Sequence, residues 1–218
     1  LEMLSKVRTI VFDKTGTLTE GNIDSEDRVK STSRLAVDTL RSEGISEIVM
    51  MTGDRREVAE RIGNEVGVNR IYSELLPEGK VAHLERVMAE KGRGEMVAFV
   101  GDGINDPPLR RRADLGIAMG ALGCDAAIEA ADVVLMDDDP MKIMTAIRVS
   151  RRTLQIVWQN IVLALGVKAV CLMLGAVGIA NMWLAVFADV GVMVIAVVNA
   201  MRACQAAKLP GTVALSMR

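Results

Sequence analysis

Residues 7–19 read VRTIVFDKTGTLT, a short and largely apolar run that passes directly into a polar loop. Residues 7–12 have the length and apolar character of a strand that is covered on both faces in a parallel sheet. Asp13 then stands at the carboxyl end of this strand, where open α/β sheets bind their ligands. The stretch therefore predicts an α/β fold with a functional residue at Asp13.

Apolar runs and helical patterns alternate through most of the first 135 residues. Further strands are predicted at residues 47–51, 71–73, 96–100, 115–118 and 132–135. Helices are predicted at residues 32–42, 56–66 and 77–91, the last with Pro77 at a favourable first position. Strands that alternate with helices in this way are typical of a doubly wound parallel sheet.

Three of the predicted strands are followed by loops that carry carboxylates. The first loop begins at Asp13, the second reads TGD (residues 52–54) and the third reads GDGIND (residues 101–106). Because the carboxyl ends of parallel strands meet at one edge of the sheet, we expect Asp13, Asp102 and Asp106 to converge. Crowded carboxylates need a cation, and hard oxygen ligands beside a phosphate site favour Mg²⁺. The alternative is that each aspartate only caps a turn. This would be the better explanation for a single loop of this kind, but not for three loops that follow three strands.

The same loops contain groups that can bind a phosphate. Thr52 and nearby backbone N–H groups can hold phosphate oxygens, and Lys80 can supply a fixed positive charge from the helix that follows Pro77. A carboxylate beside Mg²⁺ and a phosphate cradle can act as a nucleophile. A carboxylate of these loops can therefore form an aspartyl phosphate.

Composition excludes several classes of protein and shows a break along the chain. The 218 residues are 50% apolar and 25% charged, with a net charge of -2. These values exclude a disordered chain, a disulfide scaffold and a basic nucleic-acid-binding arm, so no nucleic-acid partner is expected. Between residues 153 and 200, however, the only charged residues are Lys168 and Asp189. A soluble part is therefore followed by a part that contacts membrane lipid.

Two apolar stretches, residues 161–179 and 182–200, each approach the roughly 20 residues that cross a bilayer. A short turn is predicted between them at residues 178–181. Basic residues flank the pair on both sides: Arg148, Arg151, Arg152, Arg202 and Lys208. Basic flanks favour the cytoplasmic side, which predicts a multi-pass protein of the plasma membrane with its soluble domain in the cytoplasm. The alternative is a helical hairpin buried in a soluble core. The predicted domains are a soluble domain at 1–150, a transmembrane hairpin at 151–202 and a cytoplasmic tail at 203–218.

Lys168 and Asp189 lie inside the two apolar stretches. Ionisable residues at such depth are costly and indicate a function. Two interpretations stay open: the side chains pair with each other, or Asp189 binds a divalent cation with Lys168 as its counter-charge.

The motifs DKTGTLT (residues 13–19), TGD (52–54) and GDGIND (101–106) resemble, in this order, the phosphorylation-domain signatures of the P-type ATPases. That domain belongs to the haloacid-dehalogenase-like superfamily. The resemblance implies that Asp13 is phosphorylated, with ATP as the donor in the intact pump. It implies that Mg²⁺ is bound by Asp13, by the backbone carbonyl of Thr15 and by Asp102. The resemblance also assigns catalytic roles to Lys80, Thr52 and Asp106, and cofactor-binding roles to Gly53, Asp54, Gly101 and Asn105.

Asn160 and Lys168, followed by DVG (residues 189–191) and NAMR (199–202), resemble the last two membrane helices of heavy-metal P-type ATPases. An Asp-x-Gly motif with a lysine in the preceding helix resembles the branch that exports zinc, cadmium or lead. The resemblance implies that Asp189 binds the transported cation and that Lys168 is its counter-charge.

Several parts of a complete pump have no counterpart in the sequence. No Thr-Gly-Glu motif precedes Asp13, and too few residues lie between the first two motifs for a nucleotide-binding domain. Residues 22–30 resemble a junction at this place. We expect a gene fragment, a natural deletion or an engineered chain, with the missing pump domains as possible partners.

Three functions therefore stay open from the sequence. The first is part of a heavy-metal-exporting ATPase. The second is a membrane-anchored, Mg²⁺-dependent phosphatase of the same fold. The third is an inactive remnant that regulates an intact pump, although the three complete loops argue against simple decay.

Overall fold

The computed structural model describes residues 1–20, 28–102, 107–120, 131–178 and 182–206. The chain divides into two compact units, of which the first contains Glu2–Ile147 and the second begins at Arg148. The division falls inside one long helix, Met141–Ala176. The predicted domain boundary at residue 150 also lies in this helix and stays a prediction.

The first unit is built on a parallel sheet with the strand order β3-β2-β1-β4-β5-β6 among the described residues. The strands are β1 Val7–Asp13, β2 Glu47–Met51, β3 Arg70–Tyr72, β4 Met96–Gly101, β5 Leu115–Met119 and β6 Val133–Leu135. The order reverses between the neighbours β1 and β4, where Phe12 is paired with Val100. A reversal of this kind opens a crevice at the carboxyl ends of the two strands.

Helices pack on both faces of the sheet. Their bounds are α1 Glu2–Ser5, α2 Ser33–Ser42, α3 Arg56–Val66, α4 Pro77–Glu90, α5 Pro107–Arg112 and α6 Met141–Ala176. Successive side chains of a strand point to opposite faces. Accordingly, Ile10 and Phe12 pack with residues of α2, α3 and the start of α6, whereas Val11 packs with residues of α4 and α5. The predicted doubly wound parallel sheet is confirmed.

The edge strand β3 differs slightly from its prediction. It begins and ends one residue earlier than predicted, because Arg70 pairs with Val49 of β2 in the ladder. The Arg70 side chain reaches out to Glu47 and Glu90, with N–O distances of 2.6 Å to each. A charged side chain is compatible with an edge strand, where one side of the ladder is open, so the apolar pattern alone missed it.

The second unit contains most of α6 and two further helices, α7 Met182–Val186 and α8 Val192–Ala206, joined by a π-helical turn at Phe187–Gly191. Within the described part of the chain, α6 is the one helix that is long and apolar enough to cross a bilayer. It starts well before the predicted span 161–179, because residues such as Arg148 are compatible with a helix although not with lipid. It ends at Ala176, beside Gly178 with a φ of 79°. Left-handed glycines commonly end helices. The predicted second span falls on the helical run from Met182, and residues 179–181 of the predicted turn lie outside the described residues.

Candidate active site

The crevice between β1 and β4 contains the first predicted site residues. Asp13 is the last residue of β1 and is only 4% exposed. Gly101 is the last residue of β4, and Asp102 follows it. A Cβ atom at Gly101 would lie 4.0 Å from the Cβ of Asp13. The two loops are thus direct neighbours, as the strand order requires.

Lys80 reaches Asp13 from the first turn of α4. The distance from its Nζ to the Asp13 Oδ1 is 2.7 Å, and both side chains are largely buried. Helix α4 begins at Pro77, and the Lys80 backbone N–H donates to the Leu76 carbonyl, so the side chain leaves from ordered backbone. A positive charge at this distance stabilises negative charge on the carboxylate. The sequence placed both residues at the site, and the structure brings them into contact.

A tight turn joins Asp13 to the third loop. Thr15 and Gly16 have φ, ψ values of −73°, 129° and 69°, −7°, which correspond to the central residues of a type II turn. Its second central position requires a positive φ and favours glycine. A Cβ on Gly16 would also come 3.2 Å from the Cβ of Asp102. The turn therefore packs directly against Asp102. Glycine is favoured at position 16 both by the positive φ and by the closeness of Asp102.

The TGD loop forms a second ion pair beside this turn. The Lys14 Nζ lies 2.5 Å from the Asp54 Oδ2, and the Lys14 side chain is 2% exposed. The Thr52 hydroxyl donates to the same oxygen of Asp54 at 2.7 Å and accepts from the Asp54 backbone N–H at 3.2 Å. Partial burial alone would raise the pKa of the Asp54 carboxyl, but hydrogen bonds from Lys14 and Thr52, with the charges of Lys14 and Lys80, lower it overall. Asp54 thus holds Lys14 and Thr52 next to the Asp13 loop.

The donor set at the crevice fits Mg²⁺. Asp13 and Asp102 provide hard carboxylate oxygens on adjoining loops, and the Gly16 position leaves the room beside Asp102 that a Cβ would take. Mg²⁺ is usually bound by one or two protein carboxylates together with water and phosphate. The predicted site residues Asn105 and Asp106 lie outside the described residues.

The second unit has its own polar contacts, on facing sides of α6 and the helices from Met182 onward. The Lys168 Nζ lies 3.2 Å from the Asp189 Oδ1, and Asp189 belongs to the π-helical turn. The pairing left open by the sequence is therefore present. Asn160 donates to the Ala196 carbonyl at 3.1 Å and accepts from the Asn199 side-chain amide at 2.8 Å.

A groove of about 390 Å³ lies along these contacts. The residues that line it include Asn160, Lys168 and Asp189. The π-helical turn beside it depends on a small residue, since a Cβ on Gly191 would lie 2.9 Å from the Phe187 ring. π-helical turns often occur at functional sites. This groove is the second candidate site of the chain.

Two lysines of the first unit were missed from the sequence. Lys14 belongs to the DKTGTLT motif, which does not by itself indicate the buried contact of its side chain with Asp54. Lys30 belongs to the predicted junction, yet its ammonium group contacts the Gly16 carbonyl at 3.0 Å. Adjacency to Asp13 could have indicated Lys14. No local pattern indicates Lys30, because its contacts depend on the folded loops.

Comparisons with known proteins agree with this geometry. Residues 22–114 match the family described as haloacid dehalogenase-like hydrolase. The cadmium, zinc and cobalt-transporting ATPase of Bacillus subtilis is 54% identical over 182 residues, which are 84% of this chain and 26% of that protein. The zinc-transporting ATPase of Synechocystis is 51% identical over 182 residues, 84% of this chain and 25% of that protein. The chain thus spans about a quarter of the length of these curated relatives.

Solved structures give the same fold. A zinc-transporting PIB-type ATPase in an E2.Pi state superposes with a TM-score of 0.81 at 24% identity, covering 93% of this chain and 50% of that chain. The catalytic domain of a CPx-ATPase, CopB-B, superposes with a TM-score of 0.56 at 21% identity, covering 67% of this chain and 90% of that chain. Helix α6 is long and apolar enough for the predicted membrane location. Over 84% of its length the chain is similar to curated cadmium- and zinc-transporting ATPases, and it corresponds to about a quarter of each of them.

Proposed function

We propose that Asp13 is the nucleophile of a phosphoryl transfer and carries an aspartyl phosphate during the reaction. The observation that supports this most directly is the buried contact between Lys80 and Asp13, 2.7 Å long, in the crevice where the strand order reverses. A buried carboxylate normally requires a compensating charge. Here the charge comes from a side chain that can also attract a phosphate, at the sheet edge where α/β folds bind ligands.

In the proposed step, a carboxylate oxygen of Asp13 forms a bond to the terminal phosphorus of the donor. The bond from that phosphorus to the bridging oxygen breaks, and the donor leaves with the electron pair. Hydrolysis of the acyl phosphate by water then restores the Asp13 carboxylate and releases inorganic phosphate. Lys80 orients the carboxylate before the attack and stabilises charge on the phosphoryl oxygens during it.

The remaining loops supply the other proposed contacts. Asp13, Asp102 and the Thr15 carbonyl would hold Mg²⁺, which neutralises phosphoryl charge when bound. Thr52, the backbone of Gly53 and Asn105 would bind phosphate oxygens. Gly101 would contribute to cofactor binding, and Asp106 would have a catalytic role close to Asp102. The Thr52 hydroxyl donates to Asp54 in the present structure, so its contact with phosphate requires this hydrogen bond to be exchanged. Asp54 and Lys14 keep the loop in place.

For the whole protein, we propose export of a heavy-metal cation driven by ATP. The names of the relatives, which transport cadmium, zinc or cobalt, support the class of cation, and lead belongs to the same proposal. Asp189 would bind the cation in the groove beside Lys168. The first unit would lie in the cytoplasm, and pump domains outside the present sequence would provide ATP binding. The phosphatase and the regulatory remnant are supported by no observation specific to them.

The test is labelling of the full chain, in detergent micelles, with acetyl [³²P]phosphate and Mg²⁺. We expect label on Asp13 that hydroxylamine releases and that Asp13→Asn abolishes. Asp38→Asn is the matched control, because Asp38 is an exposed aspartate of α2 that contacts only Arg34 among the ion pairs of the described residues. Label that survives Asp13→Asn, or its absence from the wild-type chain, would contradict the proposal.

A further inference from the structure

Lys30 is a buried lysine at the start of the segment that leads into α2. Its backbone N–H donates to the Leu18 carbonyl at 3.0 Å, and the preceding Val29 forms an antiparallel bridge with Thr19. This pairing holds the chain after residue 28 against the chain that leaves the Asp13 loop. The Lys30 side chain, 10% exposed, consequently points into the unit and away from solvent.

The ammonium group of Lys30 has three close acceptors. It lies 3.0 Å from the Gly16 carbonyl, 2.6 Å from the Asp138 Oδ1 and 3.2 Å from the Asp138 carbonyl. An ammonium has three donors, so its hydrogen-bonding capacity is matched by these acceptors. Each acceptor belongs to a loop at the carboxyl edge of the sheet.

The loops that Lys30 connects border the proposed phosphorylation site. Gly16 is the residue whose Cβ would touch Asp102. Asp138 follows β6, and a Cβ on Gly120, directly after β5, would lie 3.4 Å from the Asp138 Oδ1. Lys30 therefore ties the turn after β1 to the loop after β6.

We propose that Lys30 is a positioning residue, which fixes the Gly16 turn and thereby the distance between Asp13 and Asp102. This inference rests on the proposed function. Lys30 acts through the Gly16 carbonyl and does not itself contact the phosphoryl group. If Lys30 loses its ammonium group, the Gly16 turn is no longer connected to the Asp138 loop. The turn that packs against Asp102 is then no longer held in place. Mutation of a residue that orients metal ligands in this indirect way typically lowers metal affinity or activity by about 10- to 100-fold.

An ion pair at the opposite end of the sheet provides a matched control. Lys91 lies 2.6 Å from both carboxylate oxygens of Asp114, and Asp114 accepts the Val97 backbone N–H at 2.9 Å. Asp114 directly precedes β5, and Val97 is near the start of β4. Lys91 thus has a similar structural role, but at the amino ends of the strands, remote from Asp13.

The experiment compares Lys30→Met, Lys30→Arg and Lys91→Met in the full chain in detergent micelles. Mg²⁺ affinity is measured by calorimetry, labelling by acetyl [³²P]phosphate across a Mg²⁺ series, and folding by thermal melting. We expect Lys30→Met to weaken Mg²⁺ binding and slow labelling by about tenfold or more, and Lys30→Arg to recover part of both. Lys91→Met should lower the melting temperature but leave Mg²⁺ binding and labelling of the folded fraction unchanged.

The outcomes separate this inference from the proposed function. Wild-type Mg²⁺ affinity and labelling in Lys30→Met, or equal losses in Lys30→Met and Lys91→Met, would overturn the role of Lys30. If the wild-type chain binds Mg²⁺ without labelling, the proposed function fails, while the calorimetry still decides on Lys30. A wild-type chain that neither binds Mg²⁺ nor labels overturns both.

Discussion

Two lysine–aspartate pairs in this chain are held in different surroundings. The side chains of Lys80 and Asp13 are 14% and 6% exposed, and the two groups lie 2.7 Å apart at the end of a sheet. Lys168 and Asp189 are 56% and 74% exposed and lie 3.2 Å apart between helices. The first pair is surrounded by protein. The second lies among outward-facing apolar side chains, such as the 64% exposed Leu165, which lipid would cover in a bilayer.

The difference shows how each pair excludes water. For Lys80 and Asp13 the fold itself does so, in the crevice where we propose that phosphate and Mg²⁺ bind. For Lys168 and Asp189 the exclusion would come from a surrounding membrane, which would tie the stability of that pair to the bilayer. In both places the loss of one partner leaves a charge that the surroundings compensate poorly.

The largest effect is expected for Lys80→Met. Loss of the ammonium removes both the partner of Asp13 and a positive charge beside the phosphoryl group. Removing one group that stabilises transition-state charge typically slows a reaction by about 10²- to 10³-fold, and we expect a loss of this size in the acetyl phosphate labelling rate. Lys6→Met, which breaks an exposed pair with Glu2, should leave the rate unchanged. A rate for Lys80→Met close to that of wild type would show that Lys80 only balances a buried charge.

The second prediction concerns Lys168→Met. It leaves Asp189 alone among the apolar residues of the helices, and an ionisable residue at the centre of a membrane helix costs about 2.5–3.5 kcal/mol on insertion scales. We expect a destabilisation approaching this size in reconstituted bilayers, measured by denaturant unfolding. The double variant Lys168→Met/Asp189→Leu should recover most of it, because no unpaired charge is left.

A comparison of bilayers with detergent tests whether the Lys168–Asp189 pair lies at membrane depth. If Lys168→Met lowers the free energy of unfolding by the same small amount in both, the pair does not lie at that depth. A double variant as unstable as the single one would mean that the two side chains do not depend on each other.

The sequence predicted the elements better than the contacts between loops. Strand β2 coincides with its prediction, because an apolar run buried on both faces has few alternatives. The strand order was not predicted in detail, yet the convergence of Asp13 and Asp102 followed from parallel strands alone. Lys80 was predicted only to supply a positive charge for the phosphate, and its contact with Asp13 is a finding of the structure.

What the sequence could not give depends on tertiary packing. Lys30 and Asp138 are 108 residues apart and meet only when the loops after β1 and β6 are in place. The start of α6 at Met141 was not predicted, because hydropathy indicates only the apolar part of a helix. The polar first turns of α6 precede that part. The pairing of Lys168 with Asp189 stayed one of two interpretations because sequence spacing does not set the register of two helices.

The smallest effect is expected for Gly16→Ala, where backbone strain can be separated from a contact with Asp102 by comparison with Gly94→Ala. Gly16 and Gly94 both have positive φ, 69° and 84°, but a Cβ on Gly94 would meet nothing within 4 Å. Left-handed backbone costs other residues about 1–2 kcal/mol, so Gly16→Ala and Gly94→Ala should lower the melting temperature by similar amounts. Only Gly16→Ala places a Cβ 3.2 Å from the Cβ of Asp102. We therefore expect it alone to raise the Mg²⁺ concentration needed for half-maximal labelling. Equal Mg²⁺ requirements in the two variants would mean that Asp102 adjusts freely, and that the glycine serves the turn and not the metal site.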